Sequence, residues 1–246
     1  MSEPTASKAA ASRGARVRAE DIYRWGPVWS RRVGWFLDHV YWNTTVLGGE
    51  HVPRTGPVII ASNHTGVIDG PLLHGAIPRS SHFIIKQEFF DSKLGFLMTG
   101  AGQIPVDRGN GRAALVVAQK LLAEGRAVGI FPEGNRGRGT VKETRAGTAW
   151  LAVQSGAPVV PVACLGTRPT GTKLGHVPAP RSKLHVVFGE PIHVSTERGS
   201  GGNRALIANA MTALQDGLAA HVEHAVRLTG VELPHDGPDG QAAPLS

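Results

Sequence analysis

Between residues 57 and 189 the chain alternates short apolar runs with stretches of helical period, and this alternation leaves few folds open to it. The runs are PVIIAS (57–62), HFIIK (82–86), GQIPV (102–106), AVGIFP (127–132), APVVPVAC (157–164) and LHVVFG (184–189). Their length and β-branched content predict strands, whereas 111–124 and 144–155 predict helices, the first closed by Gly125 as a C-cap. A last helix is predicted over 203–228, with Ile207, Met211, Leu214, Leu218 and Val222 on one stripe. Strands interleaved with helices predict an α/β fold: a single layered domain with a largely parallel central sheet flanked by helices. An apolar content of 41% over 246 residues is enough for a sizeable core and excludes a disordered or collagen-like chain. A lone cysteine, Cys164, excludes an internal disulfide and points to a reducing compartment.

The segments around this alternation differ in character. Residues 1–20 hold no apolar run and are expected to be a disordered basic arm without a signal peptide. Residues 21–44 hold four of the five tryptophans and both tyrosines, and Ile22, Trp25, Trp29, Val33, Phe36 and Val40 recur at helical spacing. Such an aromatic-rich helix, flanked by arginines and too charged to span a bilayer, either lies in a membrane interface or packs on its own domain. The expected division is an arm (1–20), an interfacial amphipathic helix (21–44), the main domain (45–230) and a flexible tail (231–246). The net charge of +7 calls for an anionic partner without choosing its kind.

Four segments could carry chemistry. In PVIIASNHTGVIDGPLL, His64 follows a strand and Asp69 precedes Pro71, which suits the first turn of a helix. On a continuous helix the two side chains would point roughly 140° apart, so a loop must bring them together. Either Asp69 orients His64 as a general base, or Asp69 only caps a helix. FPEGNRGRGTVKE joins Glu133 to Gly134, Gly137 and Gly139 and to the cations Arg136, Arg138 and Lys142, which is either an anion site or a solvated basic loop. GQIPVDR places Arg108 after a strand. APVVPVACLG carries Pro161, which is expected at a sheet edge or a strand start, and Cys164 is expected to be core. From Thr144 to Gly189 there is no acid, only Arg145, Arg168, Lys173, Arg181 and Lys183, so this stretch is expected to present a positive face.

Together these segments resemble the glycerolipid acyltransferases, in particular the 1-acylglycerol-3-phosphate (lysophosphatidic acid) acyltransferase group. The NHxxxxD block is matched by Asn63, His64 and Asp69, the second block by Gly102 to Arg108, FPEGTRS by Phe131 to Arg136, and the fourth by Val159 to Gly166. Asn135 and Gly137 replace the usual threonine and serine, and Gly66 a frequent serine. The resemblance implies an enzyme in which His64 and Asp69 are catalytic. It implies that Asn63, Arg108, Glu133, Gly134, Asn135, Arg136 and Pro161 bind substrate. It implies a lysophospholipid acceptor and an acyl-CoA or acyl carrier protein donor, with no cofactor and no metal. It also implies peripheral contact with an anionic membrane on its cytoplasmic face. The alternatives are the same transfer to another lipid or glycolipid hydroxyl, or a non-catalytic basic protein binding membrane or nucleic acid. Against nucleic acid, the aromatic residues are concentrated in one helix and not interleaved with a basic platform.

Overall fold

The computed structural model describes residues 17–107, 109, 111–141, 144–197 and 202–236. In chain order the main elements are α1 (Gly26–Phe36), β1 (Asn43–Leu47), β2 (Val58–Ser62), α2 (Asp69–Ala76) and β3 (Ser81–Lys86). There follow α3 (Gln87–Phe90), α4 (Gly95–Gly100), β4 (Ile104–Val106), α5 (Gly111–Ala123) and β5 (Ala127–Ile130). The chain ends with α6 (Ala146–Ser155), β6 (Val159–Leu165), β7 (Lys183–Phe188) and α7 (Gly202–Thr229). The seven strands form one sheet in the order β1-β7-β6-β2-β5-β3-β4, parallel throughout except for β6 against β7.

Alternation along the strands divides the core in two, because successive side chains leave opposite faces of a sheet. Ile59, Ala61, Val128 and Val159 pack with α5, α6 and α7, while Val58, Ile60, Ala127 and Val160 pack with α2. The central strands β2 and β6 are buried at every residue, as expected of parallel strands covered on both faces. From β2 the chain turns through α2 toward β3, and from β5 it turns the other way through α6 to β6. Such a divergence opens a crevice at the carboxyl ends of the strands.

Pro161 lies inside the sheet and not at an edge, because β6 pairs with β2 on one side and β7 on the other. Its carbonyl accepts the Gly189 N–H on the β7 side, so its missing N–H faces that side too. There the ladder is interrupted between the Val162–Phe188 pair and the Val159–Ile192 bridge. The proline therefore costs the sheet no hydrogen bond.

The amino-terminal segment also differs from expectation. Its α-helix is shorter than 21–44, starting at Gly26 with Pro27 in its first turn and running through a π-helical turn, Leu37–Tyr41, into β1. Trp42 is buried, its indole N–H bonded to the Pro178 carbonyl at 3.1 Å. The predicted stripe does not pack inward: Ile22 is buried, but Trp25 is 71% exposed and Phe36 53%, and Trp29, Val33 and Val40 are exposed as well. The inward face is Gly26, Ser30 and Gly34. A Cβ on Gly34 would lie 2.8 Å from Gly75 Cα, so the small residues let α1 lie backbone-close on α2. Ser30 Oγ bonds His74 Nε2 at 2.8 Å across that contact, and burial, helped by Arg31 and His82, pushes His74 down to about 4.

Residues 1–16 of the expected arm lie outside the described residues; the remainder is not loose, since Ala19 is buried in a short turn. Of the expected tail, 237–246 lie outside the described residues, while Val231 and Leu233 pack on the core and Asp236 is buried.

Candidate active site

The loop 63–68 leaves the carboxyl end of β2 and is fixed at both ends. Asn63 is fully buried and reads the backbone of β6: its Oδ1 accepts the Cys164 N–H at 2.8 Å and its Nδ2 donates to the Cys164 carbonyl at 3.1 Å. Its polar atoms thereby bracket the loop to β6. Asp69, the first residue of α2 and fully buried, closes the other end. Its Oδ2 accepts three hydrogen bonds, from the N–H of Thr65 at 2.7 Å, the N–H of Gly66 at 2.9 Å and His64 Nδ1 at 2.9 Å. A carboxylate oxygen that already accepts two amides can only accept from the ring, so Nδ1 carries the proton and the lone pair of His64 is on Nε2.

The glycine-rich loop after β5 holds the rest of His64. Phe131 stacks on the imidazole with centroids 4.2 Å apart and planes at 20°. Glu133 Oε1 accepts the His64 N–H at 2.9 Å, and the Gly137 N–H donates to the His64 carbonyl at 2.9 Å. Both backbone groups and one ring nitrogen of His64 are thus tied to named partners. Burial pushes Glu133 up to about 7, against the His64 N–H that lowers it and with the Asp69 charge that raises it further. One oxygen of the carboxylate therefore braces the loop. Gly134 and Gly139 adopt φ near +70°, and a Cβ on Gly139 would meet the Thr65 methyl. The guanidinium of Arg145 lies where a Gly134 side chain would be.

The remaining expected residues are distributed unevenly. Asn135 is exposed at the loop tip, its Oδ1 accepting from Lys86 Nζ at 2.8 Å, and Arg136 Nη1 donates to the Leu174 carbonyl at 3.4 Å. Arg108 lies outside the described residues. Pro161 is paired with Ala61 within the sheet. Cys164 is buried, and burial pushes its thiol well above the ordinary value. The predicted positive face is only partly free, because Arg168 is buried against Asp236 at 3.1 Å.

Sequence reasoning missed two residues here, Lys86 and Thr167, and the backbone role of a third that it did name, Gly137. Lys86 ends β3 at the crevice, and its only signal is a cation closing an apolar run. Thr167 follows β6 and is fully buried, its Oγ1 2.9 Å from Thr65 Oγ1. Gly137 acts through its backbone, which carries no side-chain signal. Among the described residues, no group of three or more His, Cys, Asp or Glu is arranged to hold a metal ion.

A family model described as Acyltransferase matches residues 43–165, half of the chain. The chain belongs to the acyltransferase family. The matched span contains His64, Asp69 and the Phe131–Arg136 segment, and leaves out α1, Arg168 and everything that follows. This acyltransferase is 34% identical over 151 residues to the 1-acyl-sn-glycerol-3-phosphate acyltransferase of Bacillus subtilis (strain 168), covering 60% of its own length and 73% of the relative's. It is 33% identical over 132 residues to the protein of the same name from Borreliella burgdorferi, covering 50% and 51%. Its fold is similar to the crystal structure of the 1-acyl-sn-glycerophosphate (LPA) acyltransferase PlsC from Thermotoga maritima. That likeness has a TM-score of 0.54 at 22% identity, over 79% of this chain and 78% of that one.

Proposed function

We propose that this acyltransferase moves a fatty acyl group from a thioester, acyl-CoA or acyl carrier protein, to the free hydroxyl of lysophosphatidic acid, giving phosphatidic acid. The observation that carries the proposal is the His64 imidazole, held by Asp69 through Nδ1 with its Nε2 as the base. Nε2 takes the proton of the acceptor hydroxyl as its oxygen attacks the thioester carbonyl. The C–S bond then breaks, the proton passes from His64 to the departing sulfur, and an ester remains. No acyl-enzyme forms. General-base assistance supplies about 10² to 10⁴-fold, and the rest comes from holding the two substrates together. The names of the Bacillus and Borreliella relatives support lysophosphatidic acid as acceptor.

In this proposal the acceptor phosphate is met by Arg136 and Lys86, which flank Asn135, with Arg108 retained from the sequence reading. The donor's phosphates meet the cations of the 144–189 stretch other than Arg168. The exposed Trp25, just before α1, and Trp29, Val33 and Phe36 of α1 continue at Trp29, whose indole N–H bonds the Gly100 carbonyl, toward Phe96 of α4, which is also exposed. Apolar side chains standing outward beside Arg31 and Arg32 suit peripheral contact with an anionic leaflet on the cytoplasmic side. Among the described residues no helix is long and apolar enough to cross a membrane. The test is product analysis by mass spectrometry, supplying acyl-CoA or acyl carrier protein with lysophosphatidic acid or with lysolipids of other head groups. Phosphatidic acid as the main product is expected; acyl transfer confined to another lysolipid would reassign the acceptor.

A further inference from the structure

Past the end of α7 the chain brings Asp236 against Arg168, which in turn bonds the loop that holds His64. Asp236 is buried, and its ion-pair partner Arg168 has no exposed side-chain surface. Asp236 Oδ1 accepts from Arg168 Nη1 at 3.1 Å, its carbonyl oxygen accepts from Arg168 Nη2 at 3.1 Å, and its Oδ2 accepts the Gly171 N–H at 3.1 Å. The neighbouring His235 N–H donates to Thr170 Oγ1 at 3.2 Å, so the segment is attached to 168–171 at several points. Arg168 Nη2 also donates to the Gly137 carbonyl at 3.3 Å. The N–H of that same Gly137 donates to the His64 carbonyl.

These contacts form one connected series, from Asp236 through Arg168 and Gly137 to His64. A buried guanidinium without its carboxylate would be an uncompensated charge, so Arg168 keeps this place only while Asp236 is there. We propose that Asp236 is a positioning residue for acyl transfer: through Arg168 it fixes the Gly137 peptide, and with it the His64 loop and the two arginines, Arg136 and Arg138, that flank Gly137. Arg168 and Asp236 both lie outside the 43–165 span that the family model matches. The link to acyl transfer rests on the function proposed above; the link to Gly137 does not.

The experiment uses the full chain and two variants. Asp236→Asn removes the charge at nearly constant shape, and the double variant Asp236→Ala, Arg168→Met removes the buried cation as well, so that misfolding from an unpaired charge is avoided. Amide hydrogen exchange across 127–141 reads the loop without any substrate, and KM is measured for lysophosphatidic acid and for the acyl donor separately. The expected result is exchange of the Gly137 amide accelerated roughly tenfold while β5 keeps its protection. The acceptor KM is expected to rise roughly tenfold, with the donor KM within twofold of wild type. Wild-type exchange at Gly137 would overturn the proposal, as would exchange accelerating evenly through β2 and β5 or the two KM values rising together. Wild-type protein inactive on lysophosphatidic acid would remove the functional reading alone, and the Gly137 exchange rate would still decide the link.

Discussion

The His64 loop and α1 use their residues in opposite ways. At His64 the polar groups are turned inward: N–H, C=O and Nδ1 are all bonded to protein, and Nε2, the proposed base, is the nitrogen left over. In α1 the small residues are turned inward and the tryptophans outward, the reverse of an ordinary amphipathic helix on a core. The difference teaches that a chemical group must be fixed before it can act, whereas an exposed apolar surface is built by withholding apolar side chains from the core.

Removing Asp69 from the first region should have the largest effect. Asp69→Asn replaces an acceptor of three hydrogen bonds by an amide that can also donate, which permits the wrong tautomer of His64. A fall in kcat of about 10² to 10⁴-fold is expected, with binding to anionic vesicles as in wild type; loss of both together would mean that the two regions are not separable.

The pH dependence of stability sharpens the same contrast. Glu133 is raised from its ordinary value of 4.5 to about 7, chiefly by burial. A carboxyl whose folded value is raised contributes stability that is complete below 4.5 and lost as the pH rises through about 7, because the folded state binds the extra proton. The unfolding free energy of wild type should therefore fall across that window relative to Glu133→Gln, by at most about 3 kcal/mol. Parallel denaturation profiles for the two proteins would contradict the burial argument.

The close packing of α1 is tested by a pair of glycines. Gly34→Ala would push a methyl against Gly75, and a loss of about 1–3 kcal/mol is expected by chemical denaturation. Gly70→Ala, with nothing within 4 Å of the added carbon, should cost no stability. Equal effects would mean that α1 is not seated as described.

The smallest effect on the fold is expected from the outward face itself. Trp25→Ala with Phe36→Ala should leave stability within about 0.5 kcal/mol, yet weaken vesicle binding roughly tenfold or more through the lost apolar contact. Unchanged vesicle binding would remove α1 from the membrane contact.

How much of this was legible in the sequence depended on distance along the chain. His64 and Asp69 are five residues apart, and one loop joins them, so their meeting could be read directly, whereas the choice between a base and a helix cap needed the resemblance of the four segments together. The strands could be read because their apolar runs have the right length. β1 could not: at the sheet edge, Asn43 to Leu47 alternate between exposed and half-buried, so they carry no apolar run. α3 and α4 are too short to show a period. Pro161 reads as an edge residue because the break in the β6–β7 ladder is made by Gly189 to Pro191, far along the chain. The braces on His64 from Glu133 and Gly137 act on its backbone, which leaves no mark in residue type at position 64. Arg168 reads as a surface cation because its partner, Asp236, is 68 residues away.

The most direct test of the account is thiol release from an acyl thioester in lysophosphatidic acid micelles, comparing wild type with His64→Ala at matched folded concentration. The account predicts acceptor-dependent release in wild type and a loss of at least about 100-fold in the variant. Release from His64→Ala at the wild-type rate would contradict it.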